Sequence, residues 1–311
     1  MSPGTERIVR MKIAVTGASG LVGSAVVPAL RADGHEVIRL VRRTPRTADE
    51  HRWDPQHRRI DPSVLADVDA VIHLAGVGIG DRRWSAKHKQ RVLQSRVDGT
   101  TTISQALADA ASADPGRPRI LLSASAVGWY GDTGDRVVDE TAPAGADFLA
   151  HVVTEWEGAT TTAEKAGVRV TLLRSGLILG KGGLLGRMAP LFRLGLGGRL
   201  GSGRQYWPWI SLQDEVDAIR FLLATPISGP VNLTAPTPVT NAEFTAALGR
   251  VLHRPALLPV PGPALWVVLG EFARLGVLAG QRAVPARLLE SGFQFTHPDL
   301  DDALRAALAS R

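Results

Sequence analysis

The 311-residue chain is 44% hydrophobic and 21% charged, which supplies material for a sizeable core and excludes wholesale disorder. It contains no cysteine, so disulfide scaffolds, thiolate metal sites and cysteine nucleophiles are excluded together. The formal net charge is +6, yet the arginines are scattered rather than gathered on one run, so no nucleic-acid face is expected.

Residues 1–10 carry Glu6, Arg7 and Arg10 without an apolar stretch and read as a flexible extension rather than a secretory signal. The longest uncharged stretch, 255–270, is broken by four prolines and is too short to span a bilayer. No membrane segment is expected, and the protein is expected to be cytoplasmic.

In chain order, Ile13 to Val15 reads as a buried strand, Leu21 to Ala32 as a helix and Val37 to Val41 as a second strand. Ala70 to Leu74 reads as another strand, Ser85 to Ala113 as a long amphipathic helix, and Ile120 to Leu122 as a strand. A helix over 148–166 then leads to a strand from Val168 to Leu173. Strands alternating with helices of this length predict an α/β fold, a doubly wound parallel Rossmann-type sheet. The texture changes after Arg174. A glycine-rich stretch over 176–203 holds Arg187, Arg193 and Arg199, followed by Arg204 and by Trp207-Pro208-Trp209. Ser211 to Asp214 and Thr240 to Glu243 have the spacing of helix caps, and Val231 to Leu233 is suited to returning a strand to the main sheet. These features predict a dinucleotide-binding domain over 11–175, with strand returns near 205–235, and a smaller C-terminal α/β substrate lobe over 176–311.

The most informative motif is Gly17-Ala18-Ser19-Gly20-Leu21-Val22-Gly23, placed between the first strand and the first helix. Glycines let the backbone turn sharply and approach a diphosphate, and the helix N-terminus offers N–H groups and a positive dipole. At the end of the second strand, where an acid would select a ribose 2′-hydroxyl, the chain has Arg42 and Arg43. Guanidinium groups pair with phosphate bidentately, so NADP(H) is expected in preference to NAD(H).

Together with His73-Leu-Ala-Gly76 and Ser123-Ala-Ser125-Ala-Val-Gly-Trp-Tyr130-Gly, this motif resembles the extended and atypical short-chain dehydrogenase/reductases. Phe148 to Glu157, Arg174 to Gly180, Phe192 to Gly198, Gly201 to Ile210 and the Gln281 to Phe295 tail resemble, more narrowly, the YfcH-type epimerase-family proteins. Those proteins carry a C-terminal domain of unknown function after the dinucleotide fold. The resemblance covers Lys12 to about Leu308. It implies further cofactor contacts at Leu74, Ala75, Gly76 and Arg96, and a monomer or homodimer acting on a small molecule.

The resemblance also marks a departure. Short-chain reductases usually carry a Tyr-x-x-x-Lys pair that exchanges a proton near neutrality. Here the tyrosine position is Phe148 and the +4 position is Val152. Ser125 and Tyr130 remain as candidate catalytic residues, and no metal site is expected. His151 and Glu155 share a helix face suited to solvent. The expected function is an NADP(H)-dependent oxidoreductase or epimerase-like enzyme on a small substrate, with the scattered arginines suited to an anionic group. The alternative is a catalytically silent NADPH-binding regulator.

Overall fold

The computed structural model describes residues 10–309, so most of the extension expected over 1–10 lies outside the described residues. The first half runs β1 (Lys12–Thr16), α1 (Gly23–Ala32), β2 (Glu36–Val41), β3 (Glu50–Asp54), β4 (Arg59–Ile60), β5 (Ala70–His73), α2 (Ala86–Ala113) and β6 (Ile120–Ala126). There follow β7 (Val137–Val138), α3 (Phe148–Gly158), α4 (Thr161–Lys165), β8 (Arg169–Ser175) and β9 (Leu177–Leu179). The remainder is α5 (Gly183–Arg193), β10 (Tyr206–Trp207), β11 (Trp209–Ser211), α6 (Leu212–Ala224), β12 (Gly229–Leu233), β13 (Val239–Thr240), α7 (Asn241–Val251), α8 (Gly262–Leu269), β14 (Arg282–Ala283), α9 (Ala286–Glu290) and α10 (Leu300–Ala309).

Eight strands form the main sheet in the order β12-β8-β6-β5-β1-β2-β3-β4, parallel throughout except for the β3–β4 pair. The chain starts in the middle and winds both ways, so the order reverses beside β1. In such a sheet ligands lie outside the carboxyl ends of the strands at that reversal.

Both sheet faces are covered, which is why the central strands are apolar runs rather than alternating ones. Ile13, Val15, Ile72, Leu122 and Val231 pack against α1 and α6, whereas Ala14, Val71 and Leu121 face Ile103 and Leu107 of α2. A separate core gathers Leu185, Phe192, Trp207, Trp209, Phe244, Leu248 and Leu304. Trp207 and Trp209 are buried there, the former against Phe244, so this pair packs a core.

Local signals decide several boundaries. Ser85 caps α2 through the His88 N–H, and Thr240 with Glu243 forms a reciprocal capping box on α7. Ser211 accepts from the Asp214 N–H at the start of α6. The helix expected over 148–166 is two, broken between Gly158 and Thr161, where the backbone turns so that Ala163 packs under the sheet. Strand β3 was not expected. Its sequence Glu-His-Arg-Trp-Asp offers neither an apolar run nor strict alternation, and its pairing with β2 supplies the order. Among the described residues, no helix is long and apolar enough to cross a membrane.

Glu215, in the first turn of α6, is 2% exposed and accepts from Ser175 Oγ at 2.6 Å. Burial pushes its carboxyl from 4.5 up to about 8. Between those values the folded chain holds a proton that the unfolded chain has released, so this group costs stability as pH rises, by at most about 1.4 kcal/mol per pH unit. Buried His73 acts oppositely: burial pushes it from 6.5 to about 4, so it costs stability as pH falls through that window. The unfolding midpoint is therefore expected to fall from pH 6.5 to 8, and Glu215→Gln to remove that slope. An unchanged slope in the variant contradicts the assignment.

Candidate active site

The glycine loop is built for close approach. Gly17 adopts φ +68°, and a Cβ there would lie 2.8 Å from the carbonyl carbon and oxygen of Leu74. A Cβ on Gly23 would lie 2.3 Å from the Gly17 oxygen. Any side chain at either position must displace backbone, so the loop holds its curvature only with glycine. Ser19 and Gly20 are exposed at its tip, Leu21 and Val22 are partly covered, and α1 has no acidic residue in its first turn. The helix end is thus left open to an anion.

Thr16 and His73 lock this loop to the end of β5. They are register neighbours on β1 and β5. Thr16 Oγ1 accepts from the Leu74 and Ala75 N–H groups at 3.0 and 3.2 Å and meets His73 Nδ1 at 2.8 Å. Burial keeps His73 neutral near pH 7, so a single proton lies between Nδ1 and Thr16 Oγ1. Leu74 and Ala75 therefore lie directly beside Gly17. Arg96 reaches the same place from α2. Its guanidinium lies next to Gly76, stacks on Trp156 with 4.8 Å to the ring centroid, and donates to the Val77 and Val92 carbonyl oxygens. Burial pushes it down to about 10, which leaves it charged at neutral pH, and no carboxylate contacts it among the described residues.

At the end of β2 the two arginines divide. Arg43 makes a bidentate pair with Glu50 at 2.8 and 2.6 Å, and this holds the Glu50 carboxyl down at about 2. Arg39 is likewise engaged by Asp49. Arg42 is exposed, with no ion pair among the described residues. The acid missing from the end of β2 thus arrives from the start of β3, one strand over, as Glu50, and occupies Arg43. The two arginines expected to act alike differ in their partners: Arg43 is paired and Arg42 is not, among the described residues.

The catalytic candidates fall in a buried row. Register places Ser125, Arg174 and Asn232 side by side on β6, β8 and β12. Ser125 Oγ donates to Glu157 Oε1 at 2.5 Å, and Arg174 grips both Glu157 oxygens at 2.8 Å. The Tyr130 hydroxyl donates to Asn232 Oδ1 at 2.7 Å and accepts from Arg174 at 3.3 Å, while Arg174 stacks on Trp129. Tyr130 is 2% exposed, and burial pushes its phenol above the ordinary value, outweighing the pull of Arg174. A phenol so placed exchanges protons poorly near neutrality. Ser125 and Tyr130 thus sit together, but with their hydroxyl protons committed to protein partners. Glu157, Arg174 and Asn232 are the members that sequence reasoning did not single out, because each polar residue taken alone reads as solvated or as part of a strand. His151 and Glu155 are indeed exposed.

Phe148, at the start of α3, lies against Trp84, which in turn touches Phe272, each pair with centroids 5.3 Å apart. Lys89 Nζ sits over the Phe148 ring, 4.2 Å from its centroid, and is bonded to both Glu271 oxygens. Beside this cluster a cavity of about 450 Å³ is lined by Tyr130, Asp132, Arg136, Asp147, Arg274 and Leu275, among others. In the glycine-rich stretch, Arg187 binds the Gly80 carbonyl and Asp81, while Arg193, Arg199 and Arg204 are exposed. No group of residues able to hold a metal ion occurs among the described residues.

Comparison with known proteins agrees with this fold. The model of the NAD dependent epimerase/dehydratase family matches residues 13–234, and that of a domain of unknown function, DUF1731, matches 260–307. An epimerase family protein of Mycobacterium bovis is 52% identical over 94% of this chain and 96% of its own length. The Homo sapiens epimerase family protein SDR39U1 is 36% identical, covering 96% of this chain and all of that protein. A crystal structure of human SDR39U1 (isoform 2) with NADPH superposes with TM-score 0.85 at 32% identity, over 96% of this chain and 99% of that one. A UDP-glucose 4-epimerase of Thermus thermophilus, 18% identical with TM-score 0.75, shares the fold. The chain belongs to the NAD dependent epimerase/dehydratase family and carries a DUF1731 segment at its C-terminal end.

Proposed function

We propose that this protein binds NADP(H) along the carboxyl ends of β1, β2 and β5 and carries out hydride chemistry on a small molecule. The observation that carries the reading is the cradle at Gly17 and Gly23, where an added Cβ would meet backbone, joined by Thr16 to Leu74–Gly76. The SDR39U1 structure with NADPH supports the same cofactor. Gly17, Ser19, Gly20, Leu21, Val22 and Gly23 would hold the diphosphate. Arg42 would meet the 2′-phosphate, and Leu74, Ala75, Gly76 and Arg96 would border the nucleotide's path. The bound nucleotide would supply the hydride. The chain's own part is to bind, orient and exclude water. Ser125, with Glu157 and Arg174 behind it, fixes the wall of the reacting end rather than donating a proton there. The protein is expected to be cytoplasmic, as a monomer or homodimer.

Arg42→Ala is expected to weaken NADPH binding about tenfold and to leave NADH binding unchanged, since only the former has the extra phosphate. Arg43→Ala is expected to free the Glu50 carboxylate and shift preference toward NADH. Calorimetric titration checks both. Equal losses for the two nucleotides in Arg42→Ala would remove the 2′-phosphate assignment.

The commitment of Ser125 and Tyr130 to buried partners favours a second reading, a protein that binds the nucleotide without turnover. The discriminating experiment is NADPH oxidation against a broad panel of carbonyl and conjugated acceptors. Oxidation with any member supports the enzyme. Tight binding with no oxidation throughout supports the regulator.

A further inference from the structure

The position that carries the proton-donating phenol in short-chain reductases is filled here by an aromatic ring that cannot donate. Phe148 contacts Trp84, and Trp84 contacts Phe272 from the C-terminal segment. All three are half-buried, so each keeps part of its surface open. Asp147, next to Phe148, and Arg274, two residues after Phe272, line the neighbouring cavity. The one ammonium group here, Lys89 Nζ, is fixed over Phe148 by Glu271, which lies 182 residues away in the sequence.

These facts select among acceptors. Reducing an isolated carbonyl creates an alkoxide, which is too basic to persist and needs a proton as it forms. The acids within reach are committed elsewhere: the Lys89 ammonium donates to both Glu271 oxygens. Tyr130 is turned to Asn232, and Ser125 to Glu157. A conjugated ring that takes a hydride instead leaves as a delocalised anion, stable until solvent protonates it. Aromatic faces suit such a ring, and a fixed cation suits its charge.

We propose that the acceptor is a planar conjugated ring of the quinone or flavin class, received at Trp84, Phe148 and Phe272, with Lys89 as the counter-charge for the anion formed on reduction. This rests on the proposed NADP(H) site, which supplies the reductant. The ring gains one hydride, that is two electrons and one hydrogen nucleus. One C=O or C=N π bond equivalent opens across the conjugated system, negative charge appears on oxygen or nitrogen, and water later supplies the proton. Lys89 keeps its own proton throughout.

The test uses the purified full chain with menadione, FMN, and cyclohexanone and decanal as unconjugated carbonyls. NADPH titration of the same preparation is run first. Menadione or FMN is expected to consume NADPH at least about tenfold faster than either unconjugated carbonyl, with a solvent isotope effect near unity. Each active ring compound is also expected to quench tryptophan fluorescence in the presence of NADP⁺, and part of that quenching should vanish in Trp84→Phe. Lys89→Met is expected to slow reduction about tenfold while NADPH binding is unchanged. Turnover with FMN alone assigns the flavin class, and with menadione alone the quinone class. Faster reduction of the unconjugated carbonyls, or a large solvent isotope effect, overturns the proposal by revealing a proton donor. NADPH binding without turnover or Trp84-dependent quenching by either ring compound also overturns it, leaving the cofactor site standing. Absence of NADPH binding removes both readings.

Discussion

Glu157→Ala is expected to cost about 3–5 kcal/mol of stability, the largest single-residue loss outside the hydrophobic core, because it strands a charged guanidinium in the interior. Arg174 is 2% exposed and Glu157 8%, and their bidentate contact is the hub on which Ser125 and Tyr130 converge. For a chain of this size the thermal midpoint should fall by roughly 10 °C. Replacing both partners together, Glu157→Met with Arg174→Met, should recover much of that loss, since two apolar side chains leave no charge uncompensated. If Glu157→Ala instead unfolds at the wild-type temperature, the carboxylate is not an anchor. It would then be free to act on substrate, and the wall-fixing role given to this cluster fails.

Gly23→Ala is expected to weaken NADPH binding about a hundredfold or more while leaving the fold largely intact. The added Cβ would lie 2.3 Å from the Gly17 oxygen and 2.7 Å from the Ala18 Cα, so the turn must open. The amides that face the diphosphate are then displaced by a distance comparable to a hydrogen bond's tolerance. The sheet beneath is held separately by Ile13, Ala14 and Val15, all fully buried. Retained circular dichroism together with lost nucleotide binding is the expected pair of observations. Wild-type affinity in this variant would show that the diphosphate does not rest on the loop.

The parts of this molecule that the sequence announces are those whose constraints are local. The glycine loop, the caps at Ser85, Ser211 and Thr240, and the apolar runs of β1, β5, β6 and β8 can each be read within a few residues. What escapes is order created by pairing at a distance. Strand β3 is polar and short, so nothing local marks Glu50 as the partner of Arg43. Glu157 and Arg174 lie on a helix and a strand 17 residues apart, and only the sheet register brings Asn232 and Ser125 into the same row. The Lys89–Glu271 contact joins the first turn of α2 to the far end of the chain. Each charge, taken singly in an arginine-rich sequence, reads as a solvated surface residue, and burial alone gives it a role.

One binding measurement tests the cofactor site most directly. Calorimetric titration of the full chain with NADPH and with NADH should show NADPH bound with one-to-one stoichiometry and about tenfold more tightly, a preference set by Arg42 beside an Arg43 already paired to Glu50. Heat from neither nucleotide, or tighter binding of NADH, would contradict it.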